Sequence, residues 1–157
     1  AEAAADSSED KSPETYLGYN RGENFVSPGG AAEDKPRVYD AGNPALNQWG
    51  LVGEWTIGGE HSALDKPDGR IVYRFHARDL HLVLGPPKDG KPIRFSVTID
   101  GAAPGANHGS DTDADGNGTV TGQRLYQLIR QNGAIQDRTF EIKFLDPGVE
   151  AFAFTFG

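Results

Sequence analysis

Arg70-Ile-Val-Tyr-Arg-Phe-His-Ala-Arg-Asp-Leu-His-Leu-Val-Leu84 contains two runs of alternating apolar residues that are out of phase with each other. Ile71, Tyr73, Phe75 and Ala77 share one parity, with Arg70, Val72, Arg74 and His76 turned away; Leu80, Leu82 and Leu84 share the other. A period of two is that of a half-buried strand. The stretch therefore predicts two strands, with a bulge or tight turn at Arg78-Asp79 absorbing the slip. Upstream, Trp49, Leu51, Gly53, Trp55 and Ile57 repeat the period. Downstream, so do Ile93, Phe95, Val97 and Ile99, after the turn-forming loop Gly85-Pro-Pro-Lys-Asp-Gly-Lys-Pro92 and before Asp100-Gly101.

Arg124-Leu-Tyr-Gln-Leu-Ile-Arg130 admits two readings. Leu125, Leu128 and Ile129 fit a helical face, Tyr126 and Leu128 one side of a strand, and the neighbouring segments favour the strand. Thr139–Leu145 and Val149–Phe156 predict a final antiparallel pair around Asp146-Pro147-Gly148, with Ala151, Ala153 and Thr155 alternating against Phe152, Phe154 and Phe156. Repeated short strands, turn signals between them and no convincing helix predict an all-β fold, an antiparallel β-sandwich of jelly-roll or related topology.

Composition places the core. Of the 157 residues, 31 are Gly or Pro and 33 are Leu, Ile, Val or Phe. Only five of the latter (Leu17, Phe25, Val26, Val38 and Leu46) precede residue 49, so residues 49–157 must hold the sandwich. Residues 1–14 are acidic and nearly devoid of large apolar groups, which predicts a flexible leader. Residues 15–48 open on Thr15-Tyr-Leu-Gly-Tyr19 and contain Arg21, Asn24-Phe25 and Ser27-Pro28. That is too little to fold alone and predicts an aromatic arm packed on the sandwich, with Tyr16 and Tyr19 as anchors and a short strand near Val38-Tyr39.

The formal net charge is −8, and no Lys/Arg cluster offsets it. This argues against nucleic acid as a partner and against direct membrane contact, since both need concentrated positive charge. No apolar run is long enough to span a bilayer, and no basic-apolar export signal opens the chain. An opening Ala and the lack of Met lead us to expect a processed or excised piece. The chain has no cysteine, so disulfides, thiolate catalysis and thiolate metal sites are all excluded within it.

Thr15-Tyr-Leu-Gly-Tyr19 with Arg21-Gly-Glu-Asn-Phe25, the segment Arg124–Arg130, and the ending from Arg138 to Gly157 resemble the C-terminal region of DipZ-type bacterial thioredoxin-family proteins. The resemblance runs from about Thr15 to Gly157. It implies a carbohydrate-binding-module-like, galactose-binding-like sandwich that follows an extracytoplasmic thioredoxin-like domain, itself preceded by a membrane-embedded region like those of cytochrome c biogenesis. That family's redox Cys-x-x-Cys lies in the thioredoxin-like part, so no residue here inherits it. The implied role is a non-catalytic accessory one, outside the cytoplasm in the periplasm or cell envelope. The implied partners are a thioredoxin-like domain of the same or a neighbouring chain and a glycan or protein. A structural docking domain that orients the redox domain is the alternative, and a cell-wall glycan hydrolase a weaker one.

Two groups of side chains are candidates for binding. Asp111, Asp113 and Asp115, followed by Gly116 and Asn117, match the opening of a calcium loop, where alternate carboxylates converge on one ion and Gly allows the bend. Gly122 stands at the twelfth position, where a bidentate Glu is required, so the expectation is at most weak Ca2+ binding, with a plain acidic turn as the simpler reading. No other cofactor is expected. Tyr16, Tyr19 and Tyr126, with Arg124, Gln127 and Arg130 near the last, supply the aromatic faces and polar groups a sugar site needs. Trp49 and Trp55 share parity with Leu51 and Ile57 and are expected in the core. His108, Ser110 and Asp111 have triad chemistry, but four consecutive loop positions cannot align two triad hydrogen bonds. His76 and His81 lack a third ligand and are expected to be ordinary strand residues.

Overall fold

The structure of the protein, a computed structural model, describes residues 11–157. Among the described residues there are eleven strands and no α-helix, only a single 3-10 turn at Gly105–Asn107. Among the described residues no helix is long and apolar enough to cross a membrane. The strands are β1 (Thr15–Tyr16), β2 (Pro36–Tyr39), β3 (Trp49–Ile57), β4 (Ser62–Leu64), β5 (Gly69–His76), β6 (Asp79–Gly85), β7 (Ile93–Ile99), β8 (Asn117–Val120), β9 (Arg124–Arg130), β10 (Asp137–Phe144) and β11 (Glu150–Phe156).

From β4 onward the chain alternates between two antiparallel sheets, except for the β7–β8 hairpin within one of them. One holds β4, β11, β6 and β9 side by side, and the other holds β5, β10, β7 and β8. Numbered within this set of eight, the orders are 1-8-3-6 and 2-7-4-5, the connectivity of a jelly roll. β3 joins the two sheets. Trp49–Val52 pair with β5, whereas Gly53–Thr56 pair with β2 and Trp55–Ile57 with β4. The change of sheet falls at Gly53, whose φ of 97° lies in the left-handed region that favours glycine. β1 continues the line of β4 beside β11, pairing Thr15 with Phe154 and Tyr16 with Ala153.

Alternation drives the inner residues of both sheets into one core. The ring of Phe154 on β11 lies 4.8 Å from Tyr73 on β5 and 5.9 Å from Phe140 on β10, while Trp55 meets Phe144 across the sheets at 6.0 Å. Both tryptophans are buried, and each indole N–H donates to a carbonyl, Trp49 to Glu23 and Trp55 to Val52, both at 2.9 Å. Ring contacts of this kind contribute about 0.5–1.5 kcal/mol each beyond the area they bury. Arg124–Arg130 is the strand β9, with Tyr126 and Leu128 buried on one side.

Three local expectations are corrected. The parity slip after Ala77 is a tight crossing between sheets, since β5 and β6 lie in different layers and do not pair. β10 and β11 likewise face each other across the core, pairing with β5 and β7 and with β4 and β6 respectively. Within β11 the register shifts between Ala151 and Ala153. This bulge puts Ala151 inward before it and Phe154 and Phe156 inward after it, leaving Phe152 on the outer side, half-buried.

The arm begins earlier than Thr15. Ser12 is 2% exposed, its backbone N–H donates to His76 O at 2.8 Å, and its hydroxyl donates to Asn47 Oδ1 at 2.6 Å. Residues 1–10 of the expected leader lie outside the described residues. The anchors are Thr15, whose Oγ1 lies 2.7 Å from Tyr73 Oη, and the buried Leu17. Tyr19, half-buried, packs against the core as an expected anchor does, whereas the Tyr16 ring remains at the surface, half-buried.

Candidate functional site

The outer faces of the two sheets differ in kind. On the β5 sheet, outward side chains form ion pairs, Arg70 with Glu141 at 3.3 Å, Arg74 with Asp100 at 3.8 Å and Lys143 with Asp68 at 3.9 Å. That is a solvated face. On the β11 sheet, Tyr16, Ala153, Val83 and Leu125 lie in register across β1, β11, β6 and β9. Leu125 is 40% exposed at the end of this apolar row. The next row, Thr155, His81 and Gln127, is polar without an acid, Lys or Arg. Burial pushes the His81 imidazole below its ordinary pKa, favouring its neutral form.

At the β1 end of the apolar row the arm builds one wall of a groove of about 410 Å³. Leu17 N–H donates to Phe152 O at 2.9 Å, and Tyr19 and Asn20 N–H donate to Gly58 O and Gly59 O at 2.9 and 3.0 Å. This seat requires glycine, because a Cβ at Gly18 would run into the carbonyl of Gly59. The arm thereby brings Tyr16, Asn20 and Arg21 up to Phe152, Ala153 and Val83, with Glu14, Glu60 and Gln123 completing the wall. The Arg21 guanidinium lies over the Tyr16 ring, 3.8 Å from its centroid. Tyr16 Oη donates to Glu14 Oε1 at 2.8 Å, and this bond holds the phenol above its usual pKa. A second hollow of about 440 Å³ shares Glu14, Tyr16, Asn20 and Arg21.

A larger hollow of about 730 Å³ lies between the β6–β7 loop and Pro147. Apart from the exposed Lys91 ammonium, its charged groups largely serve the loops that form it. Arg94 clamps Asp146, and Asp89 takes the N–H of Lys91 at 3.0 Å. The Tyr16 groove offers aromatic surface beside exposed donors and acceptors, and it is the better candidate on that chemistry.

The other expected site residues are dispersed. Tyr19 Oη donates to Asp34 Oδ2 at 2.6 Å and stands apart from the groove. Tyr126 is 0% exposed, its hydroxyl held by Thr121 N, Gly122 N and Gly122 O, so no ligand reaches its ring. Arg124 lies over that ring at 3.8 Å and binds Asp111 with both arms, at 2.8 and 3.1 Å. Gln127 shares the apolar face, whereas exposed Arg130 stands 3.7 Å from Asp79 Oδ1. In the acidic loop, Asp111 also accepts the Gln127 N–H at 2.8 Å, and Asp113 Oδ1 accepts the N–H groups of Asp115 and Asn117. These carboxylates close a turn along β9 instead of converging, and no group of three possible metal ligands forms among the described residues.

Arg21, Phe152, Glu60 and Gln123 went unseen as a site because four distant segments supply them. The spacing of Tyr16 and Arg21 in one short arm was the single local signal.

Fold and site together define a cysteine-free jelly-roll domain with one apolar, aromatic-bearing sheet face. The chain belongs to the family described as "Thioredoxin like C-terminal domain", which matches residues 12–157. It is similar to Protein DipZ of Mycobacterium bovis (strain ATCC BAA-935 / AF2122/97) and of Mycobacterium tuberculosis (strain CDC 1551 / Oshkosh), each 28% identical over 152 residues. The match covers 92% of this chain and 18% of each relative, so the chain corresponds to a small part of those proteins. Among solved structures it is similar to a family two carbohydrate esterase from Clostridium thermocellum in complex with cellohexaose. That match has a TM-score of 0.47 and 10% identity over 62% of this chain and 27% of that one. The jelly-roll assignment stands on the strand connectivity and not on that likeness.

Proposed function

We propose that this domain is the non-catalytic recognition module of an extracytoplasmic thioredoxin-like thiol–disulfide protein, and that it takes a carbohydrate in the groove between Tyr16, Arg21 and Phe152. The observation that carries this reading is the asymmetry of the two outer faces. One carries three ion pairs, and on the other an uncharged apolar row, flanked by the Glu150–His61 pair, leads into a groove rimmed by Arg21, Glu14, Glu60, Asn20 and Gln123. Pyranose rings offer an apolar C–H side and a rim of hydroxyls, and this combination complements both features. The lack of cysteine leaves thiol chemistry to a neighbouring domain. Titration calorimetry across a broad glycan set tests the reading. Binding lost on Tyr16→Ala supports it, and no heat from any glycan removes it.

The same face favours one second reading. A row such as Tyr16, Ala153, Val83 and Leu125 also suits docking against a thioredoxin-like domain. Affinity for that domain alone, abolished by Leu125→Glu and indifferent to glycans, would establish this alternative.

A further inference from the structure

The groove's charged groups specify what kind of carbohydrate it takes, an inference that rests on the recognition reading above. Glu14 and Glu60 line it together with a single cation, Arg21. Glu14 already accepts the Tyr16 hydroxyl at 2.8 Å through one oxygen, leaving the other to accept again, and Glu60 is exposed. Asn20 and Gln123 add amides able to donate or accept. From these residues we infer that the groove selects neutral glycans over acidic ones.

The argument is one of matching donors to acceptors. A carboxylate only accepts hydrogen bonds, whereas a sugar hydroxyl both donates and accepts. Hydroxyls of a neutral sugar can donate to Glu14 and Glu60 while accepting from Arg21. A uronic acid's carboxylate could use Arg21 and the amides, but it would enter a groove that already carries one more negative charge than positive. It would also approach a chain of net charge −8. Like charges within a Debye length, about 10 Å at 0.1 M salt, repel appreciably.

The test uses oligosaccharides paired by backbone, galacto-oligosaccharides against oligogalacturonates and gluco- against oligoglucuronates, titrated into the whole chain at low and moderate salt. The neutral member of a pair is expected to bind about tenfold or more tightly, with little salt dependence. Glu60→Gln and Glu14→Gln keep an acceptor at each position, and they are expected to narrow the gap by strengthening uronate binding. Uronates binding as tightly as their neutral counterparts, or a gap untouched by both substitutions, would overturn the inference while leaving glycan recognition standing. Silence from every oligosaccharide would overturn the recognition role and this selectivity with it.

Discussion

Arg94 offers Asp146 three hydrogen-bond donors, the backbone N–H at 2.9 Å, Nε at 3.0 Å and Nη2 at 2.8 Å. The carboxylate sits in the Asp146-Pro147-Gly148 crossing between β10 and β11, and it is tied here to the start of β7. Arg94 holds it at a pKa of about 2, against an ordinary 3.8. Because the folded value is depressed, the stabilisation is complete above the unfolded pKa and disappears as pH falls through the folded one. The Arg94 side chain is 66% exposed, so solvent screening keeps the contribution small. Asp146→Ala is expected to lower stability by about 1 kcal/mol at pH 7. The difference from the parent should shrink as pH drops below about 5 and vanish in strong acid. Urea melts of both proteins along a pH series read this directly, and a gap that is constant with pH would contradict it.

Gly18 links the arm to the β3–β4 turn. A Cβ there would strike the backbone of Gly59 and Glu60, neither of which can rotate away. Gly18→Ala is therefore expected to lift the arm while the sandwich beneath keeps its far-UV spectrum. Glycan heat should be lost together with protection from proteolysis around Tyr19. An arm as protease-resistant as the parent's would mean that the contact relaxes elsewhere.

How much of this was legible beforehand depended on distance along the chain. Trp49–Ile57 and Ile71–Ala77 announced themselves because a strand with one buried face repeats every two residues whatever it pairs with. The same property hid the topology. Alternation in β10 and β11 is equally compatible with a hairpin and with two strands facing across a core, so Asp146-Pro147-Gly148 looked like a hairpin turn when it is a crossing. Alternation also concealed the bulge in β11, because Ala-Phe-Ala-Phe-Thr-Phe reads as regular until its register against β6 is known. The Tyr16 half of the groove lay in a short arm and was visible. The Phe152, Glu60 and Gln123 half arises from packing, which no local pattern encodes.

Asp111 acts on the sandwich edge through Arg124. Its carboxylate accepts two guanidinium bonds and the Gln127 N–H, and the arginine foremost holds it below the ordinary carboxylate pKa. Arg124 in turn covers Tyr126. Asp111→Ala is expected to cost about 0.5–1 kcal/mol, because the half-exposed guanidinium can be rehydrated once the carboxylate is gone. The loss should be equal in calcium and in chelator, since the contacts involve no ion. Thermal melts in both buffers check this; a loss seen only with calcium present would place an ion on the loop.

Phe152 and Phe154 are two positions apart and identical in chemistry, yet the bulge sends them to opposite sides of the sheet. Phe154 is fully buried and meets Tyr73, Phe140 and Phe156. Phe154→Ala must open a cavity between the sheets, and it is expected to destabilise by about 3–5 kcal/mol. Phe152 is half-buried, tilts against His61 at 5.0 Å and lines the groove. Phe152→Ala removes an outer face without unpacking the core, so it is expected to cost under about 1.5 kcal/mol while abolishing glycan heat. Paired denaturation and calorimetry on the two variants separate the roles. Were Phe152→Ala to cost as much stability as Phe154→Ala, the register shift in β11 would be wrong, and the groove would lose one of its two aromatic lining residues.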